Sequence, residues 1–261
     1  MWYNRNAPKK KGGYTVDGLA IELILIMLVA LGASLIQSVT GFGFGIFAMI
    51  FLPSLLSFTE ANLISTVLST LTSLAVVLLT FRQVNFRNLI FPTLGCLAST
   101  YLAVEFISVQ SNDTLKLLLG VALFLLSVYF FFFSDKIRIK PTFYAGLLAG
   151  VISGIMGGMF AIGGPPVVIY YMQSERDSKS YLSTISAYFV LSGIISAVSK
   201  TLSGFVTDRV YLSILVGALG MIVGALLGKL TRDKVKPEGI RRAVYAVMAI
   251  SGLINIVTSI V

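Results

Sequence analysis

Two glycine-rich runs hold most of the chemistry that this 261-residue chain could perform. The first reads Gly41-Phe-Gly43-Phe-Gly45 and is followed by Pro53; the second contains Gly150, Gly154, Gly157-Gly158 and Gly163-Gly164-Pro165-Pro166. Each lies in an uncharged apolar stretch, Leu23 to Thr59 and Thr142 to Ser174, too long for one straight crossing, because about 20 helical residues already span a bilayer core. Glycine and proline in such a stretch predict a broken helix, with bare carbonyls on one side of the break and bare amides on the other. Those ends are tolerated at membrane depth only if they are buried in protein or line a cavity. The amide end carries partial positive charge and suits carboxylate, sulfite or sulfonate oxygens. Two breaks meeting near the midplane predict one pocket with two sets of donors, the plan of a secondary transporter. The competing reading is that the glycines only let helices pack closely, which explains a lone motif better than a matched pair of breaks.

Hydroxyls and amides near the breaks could complete such a pocket. Gln37, Ser38 and Thr40 precede the first break, Ser65, Thr66 and Ser69 follow it, and Ser153, Ser183, Thr184 and Ser186 are their second-half counterparts. The candidate substrate-binding set is therefore Gln37, Thr40, Gly41, Gly43, Gly45, Ser65, Thr66, Gly158, Gly163, Gly164, Pro165, Pro166, Ser183 and Thr184. In it the glycines allow close backbone approach, Pro53, Pro165 and Pro166 fix the breaks, and the polar side chains donate hydrogen bonds. Any one serine or threonine could instead bond its own helix carbonyl.

Fixed charge is scarce. Glu22, Glu60, Glu105, Lys116 and Lys200 sit at or near the ends of apolar blocks, where snorkelling to the interface is expected. Glu22 and Glu105 are the candidate proton-coupling carboxylates. Neutral donors rather than a deep cation predict moderate, reversible anion binding. Tyr170 and Tyr171, after the second break, could equally belong to an interfacial belt. The chain has no histidine and a single cysteine, Cys96, in an apolar run. No catalytic residue, metal site or cofactor is expected, and the raw material for an intramembrane enzyme is thin.

The elements that must position these residues follow from composition. The chain is 56% hydrophobic and only 12% charged, against about 25% charged in soluble domains. Barrel strands would alternate, whereas 117–134 and 243–261 are uncharged over a full helical span. The expected fold is all-α and polytopic, with eight hydrophobic blocks near 19–57, 60–81, 86–107, 114–134, 141–174, 180–203, 210–229 and 241–261. These group as two four-block repeats, 19–134 and 141–261, after a polar N-terminal segment 1–18, and the first block of each repeat is the one broken by glycines. An offset of about 119 residues sets Gly45 against Gly164. Gly95, Ser99 and Ala103 recur in kind as Gly220, Gly224 and Gly228, small residues on one helix face that point to packing. The run after residue 18 is longer than a signal-peptide core, so no cleavage is expected.

The net charge of +9 sits in the gaps between apolar runs, as topology signals rather than a nucleic-acid surface. If every block crosses once, Lys and Arg divide almost evenly. If each glycine-rich block enters and returns, the repeats are inverted and the division is 13 to 7. The 13 are Arg82, Arg87, Lys136, Arg138, Lys140, Arg176, Lys179 and six between Lys229 and Arg242, which makes that side cytoplasmic and puts both termini outside. The lysines at 9–11 oppose this arrangement.

With those motifs assembled, Gln37-Ser-Val-Thr-Gly-Phe-Gly-Phe-Gly45 with Pro53, and Gly150-Val-Ile-Ser-Gly-Ile-Met-Gly-Gly-Met-Phe-Ala-Ile-Gly-Gly-Pro-Pro166, resemble the paired signatures of the TauE/SafE family of sulfite exporters. The second, running on to Val-Val-Ile-Tyr170, is the more specific; in the first, Phe42 and Phe44 stand where many relatives have denser glycine. The resemblance covers 19–261 and implies transport of sulfite, organosulfonates such as sulfoacetate, or other small organic anions across the cytoplasmic membrane. The expected partners are a small anionic substrate and the lipid bilayer, with protons or other ions as candidates for coupling and no nucleic acid. Transport of small carboxylates, or an anion channel of the same fold, remains the alternative, and an intramembrane enzyme the most distant one. Nothing in the chain specifies an oligomeric state.

Overall fold

The structure, a computed structural model, describes residues 16–132, 140–231 and 237–260, with side chains described for 18–132, 140–231 and 244–259. Expectations about cleavage near the N-terminus, about Lys9 to Lys11, about the charged joint at 133–139, and about the side chains between Arg232 and Arg242 fall outside those residues.

The described residues form ten α-helices and no strands. They are α1 (Val16–Thr40), α2 (Phe44–Leu55), α3 (Phe58–Thr80), α4 (Phe86–Ser108), α5 (Asn112–Phe132), α6 (Phe143–Phe160), α7 (Gly164–Ser174), α8 (Ser178–Leu202), α9 (Asp208–Thr231) and α10 (Pro237–Ile260). Seven of them, α1, α3, α4, α5, α6, α8 and α9, are long and apolar enough to cross a membrane. The chain is thus an all-α polytopic membrane protein. Eight blocks become ten helices because the first long block splits into α1 and α2, and the second into α6 and α7.

Each split block turns back on itself. Glu22 near the start of α1 pairs with Arg209, whose guanidinium also donates to the carbonyl of Leu55 at the end of α2, 3.3 Å away. Both ends of this hairpin therefore lie on one face, with Glu60 and Thr207 bonded 2.7 Å apart beside them. The α6/α7 hairpin has its ends on the opposite face, at the start of α4. There Phe143 packs on Phe91, and Asn88 donates to Glu175 Oε1 at 2.7 Å and to Ser174 O at 3.3 Å.

Close backbone packing frames the two hairpins. α1 lies along α9, where a Cβ on Gly220 or Gly224 would come within 2.0 or 2.1 Å of the Met27 or Leu31 carbonyl oxygen. α6 lies along α4 in the same manner, with Gly150 against Pro92 and Gly95 against Leu147. Small residues let main chains approach where lipid offers no hydrophobic driving force between helices. α3 and α8 cross at Gly193, whose missing side chain accommodates the Thr70 hydroxyl. α5 pairs with α10.

Candidate functional site

The first break spans Gly41 to Gly43. Gly41 and Gly43 adopt φ of +84° and +104°, left-handed values that disfavour side chains. The Thr40 hydroxyl donates to Ile36 O and to Phe42 O, at 2.9 and 2.6 Å, and Gly41 N closes α1 on Gln37 O at 2.8 Å. α2 then begins, and its first intrahelical bond runs from Phe47 N to Gly43 O. The amides of Gly43, Phe44, Gly45 and Ile46 are the uncapped N-terminal donors, since the cap residue Gly43 has no side chain to accept from them.

The second break spans Ala161 to Gly163. Ala161 takes φ of +57°, and α6 closes with Ala161 N on Gly157 O at 3.0 Å and Ile162 N on Met156 O at 3.2 Å. α7 starts at Gly164 with Pro165 and Pro166 in its first turn. Gly157 and Gly158, expected within the break, are instead inside α6. Gly158 packs on Thr100 and Ala103 of α4.

The two breaks meet. A Cβ on Gly45 would lie 1.7 Å from Ala161 O, so only glycine fits where the two main chains cross. Beside this crossing is a cavity of about 60 Å³, walled by Gly43, Gly45 and Ile46, by Ala161 to Gly164, and by polar residues of α1, α3, α4, α6 and α8. α3 contributes Thr66, Ser69 and Thr70, α4 contributes Cys96 and Thr100, and α8 contributes Phe189, Ser192, Gly193 and Ser196. These lie near the midpoints of their helices.

Local bonds hold the wall. The Gln37 amide, which lines the cavity from α1, donates to Ser73 Oγ at 2.7 Å and Ser69 O at 3.1 Å, and accepts from Ser69 Oγ at 3.0 Å. Tyr188 donates to Ser153 Oγ at 2.8 Å, and Ser153 donates to Gly163 O at 2.5 Å, so α8 and α6 fix the turn before α7. The Ser196 hydroxyl is buried and has no hydrogen-bond partner among the described residues.

Of the residues expected from sequence, Gln37, Gly43, Gly45, Thr66, Ser69, Ser153, Gly163 and Gly164 line this cavity. The others stand elsewhere. Thr40 is spent on the first break, and Gly41 faces Leu182 and Ile185. Ser65 is buried behind the wall. Pro165 and Pro166 occupy the first turn of α7, while Pro53 sits near the far end of α2 rather than at a break. Ser183 donates to Lys179 O at 2.7 Å, and Thr184 accepts from Asn85 N at 2.9 Å, at the face where α4 and α8 begin. An offset in sequence pairs these two with Ser65 and Thr66, but the cavity face of α8 starts a turn or more later.

Three expectations about charged and aromatic residues are corrected. Lys200 does not snorkel to an interface: it is 0% exposed, and its Nζ bonds Asn62 Oδ1 and Thr66 Oγ1, each at 2.6 Å, and Gly157 O at 3.2 Å. Glu22 does not reach into solvent either: it is buried and paired with Arg209. Tyr171 is wholly buried and donates to Asn88 O at 3.3 Å, so it is no belt residue. Reading Lys200 correctly needed its stripe, Ser192, Ser196 and Lys200, a polar line along one face of α8.

Comparisons with known proteins identify a family. The profile of the family described as Sulfite exporter TauE/SafE matches residues 26–254. A probable membrane transporter protein of Methanocaldococcus jannaschii is 26% identical over 196 residues, 66% of this chain and 71% of that protein. A probable sulfite/organosulfonate exporter TauE of Cupriavidus necator is 23% identical over 245 residues, 87% of this chain and 92% of that protein. No solved structure gives a significant match.

Proposed function

Because the chain belongs to the sulfite exporter TauE/SafE family, a family of membrane transporters and not of enzymes, we propose that it carries sulfite or small organosulfonates by alternating access around the cavity where the two helix breaks meet. It is a multi-pass protein of the cell membrane. The observation that carries the reading is the crossing at Gly45 and Ala161, which sets the amide end of α2 against a hydroxyl-lined space.

The chemistry suits an oxyanion. The four uncapped amides of α2 point partial positive charge toward its first turn, and Thr66, Ser69, Thr70, Thr100, Ser153 and Ser196 surround the space with hydroxyls. The Ser196 hydroxyl, left without a partner, has hydrogen-bonding capacity to spare for a ligand. A volume of about 60 Å³ holds about four water-sized centres, comparable with the sulfur and three oxygens of sulfite.

Symmetry of packing supports alternating access. Exchanging each helix of the first five for its counterpart in the second five turns the α1·α9 contact into α6·α4, and leaves α3·α8 and α5·α10 as they are. Hairpins entering from opposite faces are what an inverted repeat requires, and rocking one half against the other exposes a central site to each side in turn. On this reading the face that carries Arg82, Arg87, Lys140, Arg176 and Lys179 is cytoplasmic.

Uptake by proteoliposomes containing the purified protein tests the proposal, comparing sulfite, sulfoacetate, lactate and phosphate with and without a proton gradient. Saturable flux of the sulfur anions is expected. Flux that fails to saturate, or that favours lactate or phosphate, contradicts it.

A further inference from the structure

Lys200 lies only one turn from the end of α8, yet its side chain runs inward, in the direction a helix aims its Cβ atoms. Its three partners are all acceptors. The Asn62 amide nitrogen is committed to Met159 O at 2.6 Å, which turns Oδ1 to the lysine. The Thr66 hydroxyl donates to Asn62 O at 2.9 Å, leaving its oxygen to accept, and the Gly157 carbonyl has nothing to donate. Three acceptors call for three N–H donors, which is the ammonium form; a neutral amine would turn its lone pair on an acceptor.

Among the described residues this cation touches no carboxylate. On α3, Glu60 is held by Ser57 and by Thr207. On α4, Glu105 accepts from Ser203, one turn beyond Lys200, and Cys96 bonds Thr100. On α8 itself, Tyr188 is directed to Ser153. The ion pair seen among the described residues, Glu22 with Arg209, is elsewhere. A buried cation without a counter-ion is costly, and such groups inside a membrane protein pair with something.

What stands next to it is the cavity. Thr66 and Gly157 line the cavity and bond the lysine, and Ser196, one turn earlier on α8, presents its unpartnered hydroxyl there. The ammonium is one layer behind the wall. We propose that Lys200 is the counter-charge of the transported anion, held on Asn62, Thr66 and the Gly157 carbonyl while the cavity is empty and drawn onto the anion when it is loaded. The proposal rests on the cavity being the anion site, and it makes the lysine the element that selects anions over neutral molecules of the same shape. It also replaces the expectation that neutral donors suffice.

The test compares methanesulfonate with its neutral isostere dimethyl sulfone, by binding to the purified protein and by uptake into proteoliposomes. Wild-type protein is expected to bind and move methanesulfonate and to ignore the sulfone. Lys200→Gln should weaken methanesulfonate binding by about thirty-fold or more, as loss of a desolvated charge does, and collapse the discrimination between the two compounds. Asn62→Asp keeps the lysine but gives it an internal carboxylate, and should weaken methanesulfonate comparably; it decides the matter alone if Lys200→Gln fails to fold. Methanesulfonate affinity within about three-fold of wild type in the folded Lys200→Gln or Asn62→Asp protein would overturn the lysine's role while leaving the transport reading intact. Wild-type protein that neither binds nor moves any sulfur anion would overturn both.

Discussion

The two helix breaks occupy corresponding places in the chain but are built differently, and the difference assigns them different work. The first bends on Gly41 and Gly43, both at positive φ, and opens α2 with four amides that remain available. The second bends on Ala161 and a glycine at ordinary φ, and opens α7 with Pro165 and Pro166, which removes two of the four amides. Its carbonyls are engaged: Ala161 O lies against Gly45, and Gly163 O is taken by Ser153. On the transport reading proposed above, the first half supplies the donors and the second acts as a clamp. The repeat suggested two equal donor sets; the proposed reading uses one amide end, one rigid turn and a lysine.

Five variants break or sharpen this comparison. The largest effect is expected of Gly45→Ala, whose Cβ would strike Ala161 O; sulfite uptake should fall to background, and near-normal flux would show that the breaks do not need to touch. Gly164→Leu comes next. Its Cβ would sit 3.2 Å from the Phe42 ring and 3.6 Å from Phe189, so the longer side chain fills the cavity edge and should abolish flux while membrane insertion stays intact; flux at the wild-type rate refutes the placement of the site.

Smaller effects test the asymmetry itself. The double change Pro165→Ala and Pro166→Ala restores two amides to α7, and should lower the KM for methanesulfonate by roughly two- to five-fold, the scale of a helix-end charge effect. An unchanged KM would mean that the second break does not face the anion. Ala161→Gly removes the left-handed penalty of a non-glycine residue and should raise stability by about 1 kcal/mol in thermal unfolding. Gly41→Ala should do the reverse, since its φ is +84° and its Cβ would press on Leu182.

Much of this was legible in the sequence, because glycine and proline act locally. The overlong blocks, both breaks and the small-residue ladders Gly95/Ser99/Ala103 and Gly220/Gly224/Gly228 all depend on what one segment can do by itself. What escaped depends on facing. Gly157 and Gly158 look like part of a break but sit in α6, and Gly158 serves its contact with α4. Ser183 and Thr184 match Ser65 and Thr66 by offset, yet are used at the face where α4 begins. Lys200 near a block end looks like an interface anchor, and only its three acceptors, brought from α3 and α6, show where its charge goes.

The central claim, that the space between the breaks holds the anion, has a built-in reporter. Cys96 is the single cysteine of the chain and lines that cavity, so labelling of the unmodified protein with a small sulfonate-bearing methanethiosulfonate reads the site directly. Saturating methanesulfonate should slow the labelling, with half-protection near its KM for uptake, and dimethyl sulfone should not. Labelling at the same rate with and without methanesulfonate would contradict the account.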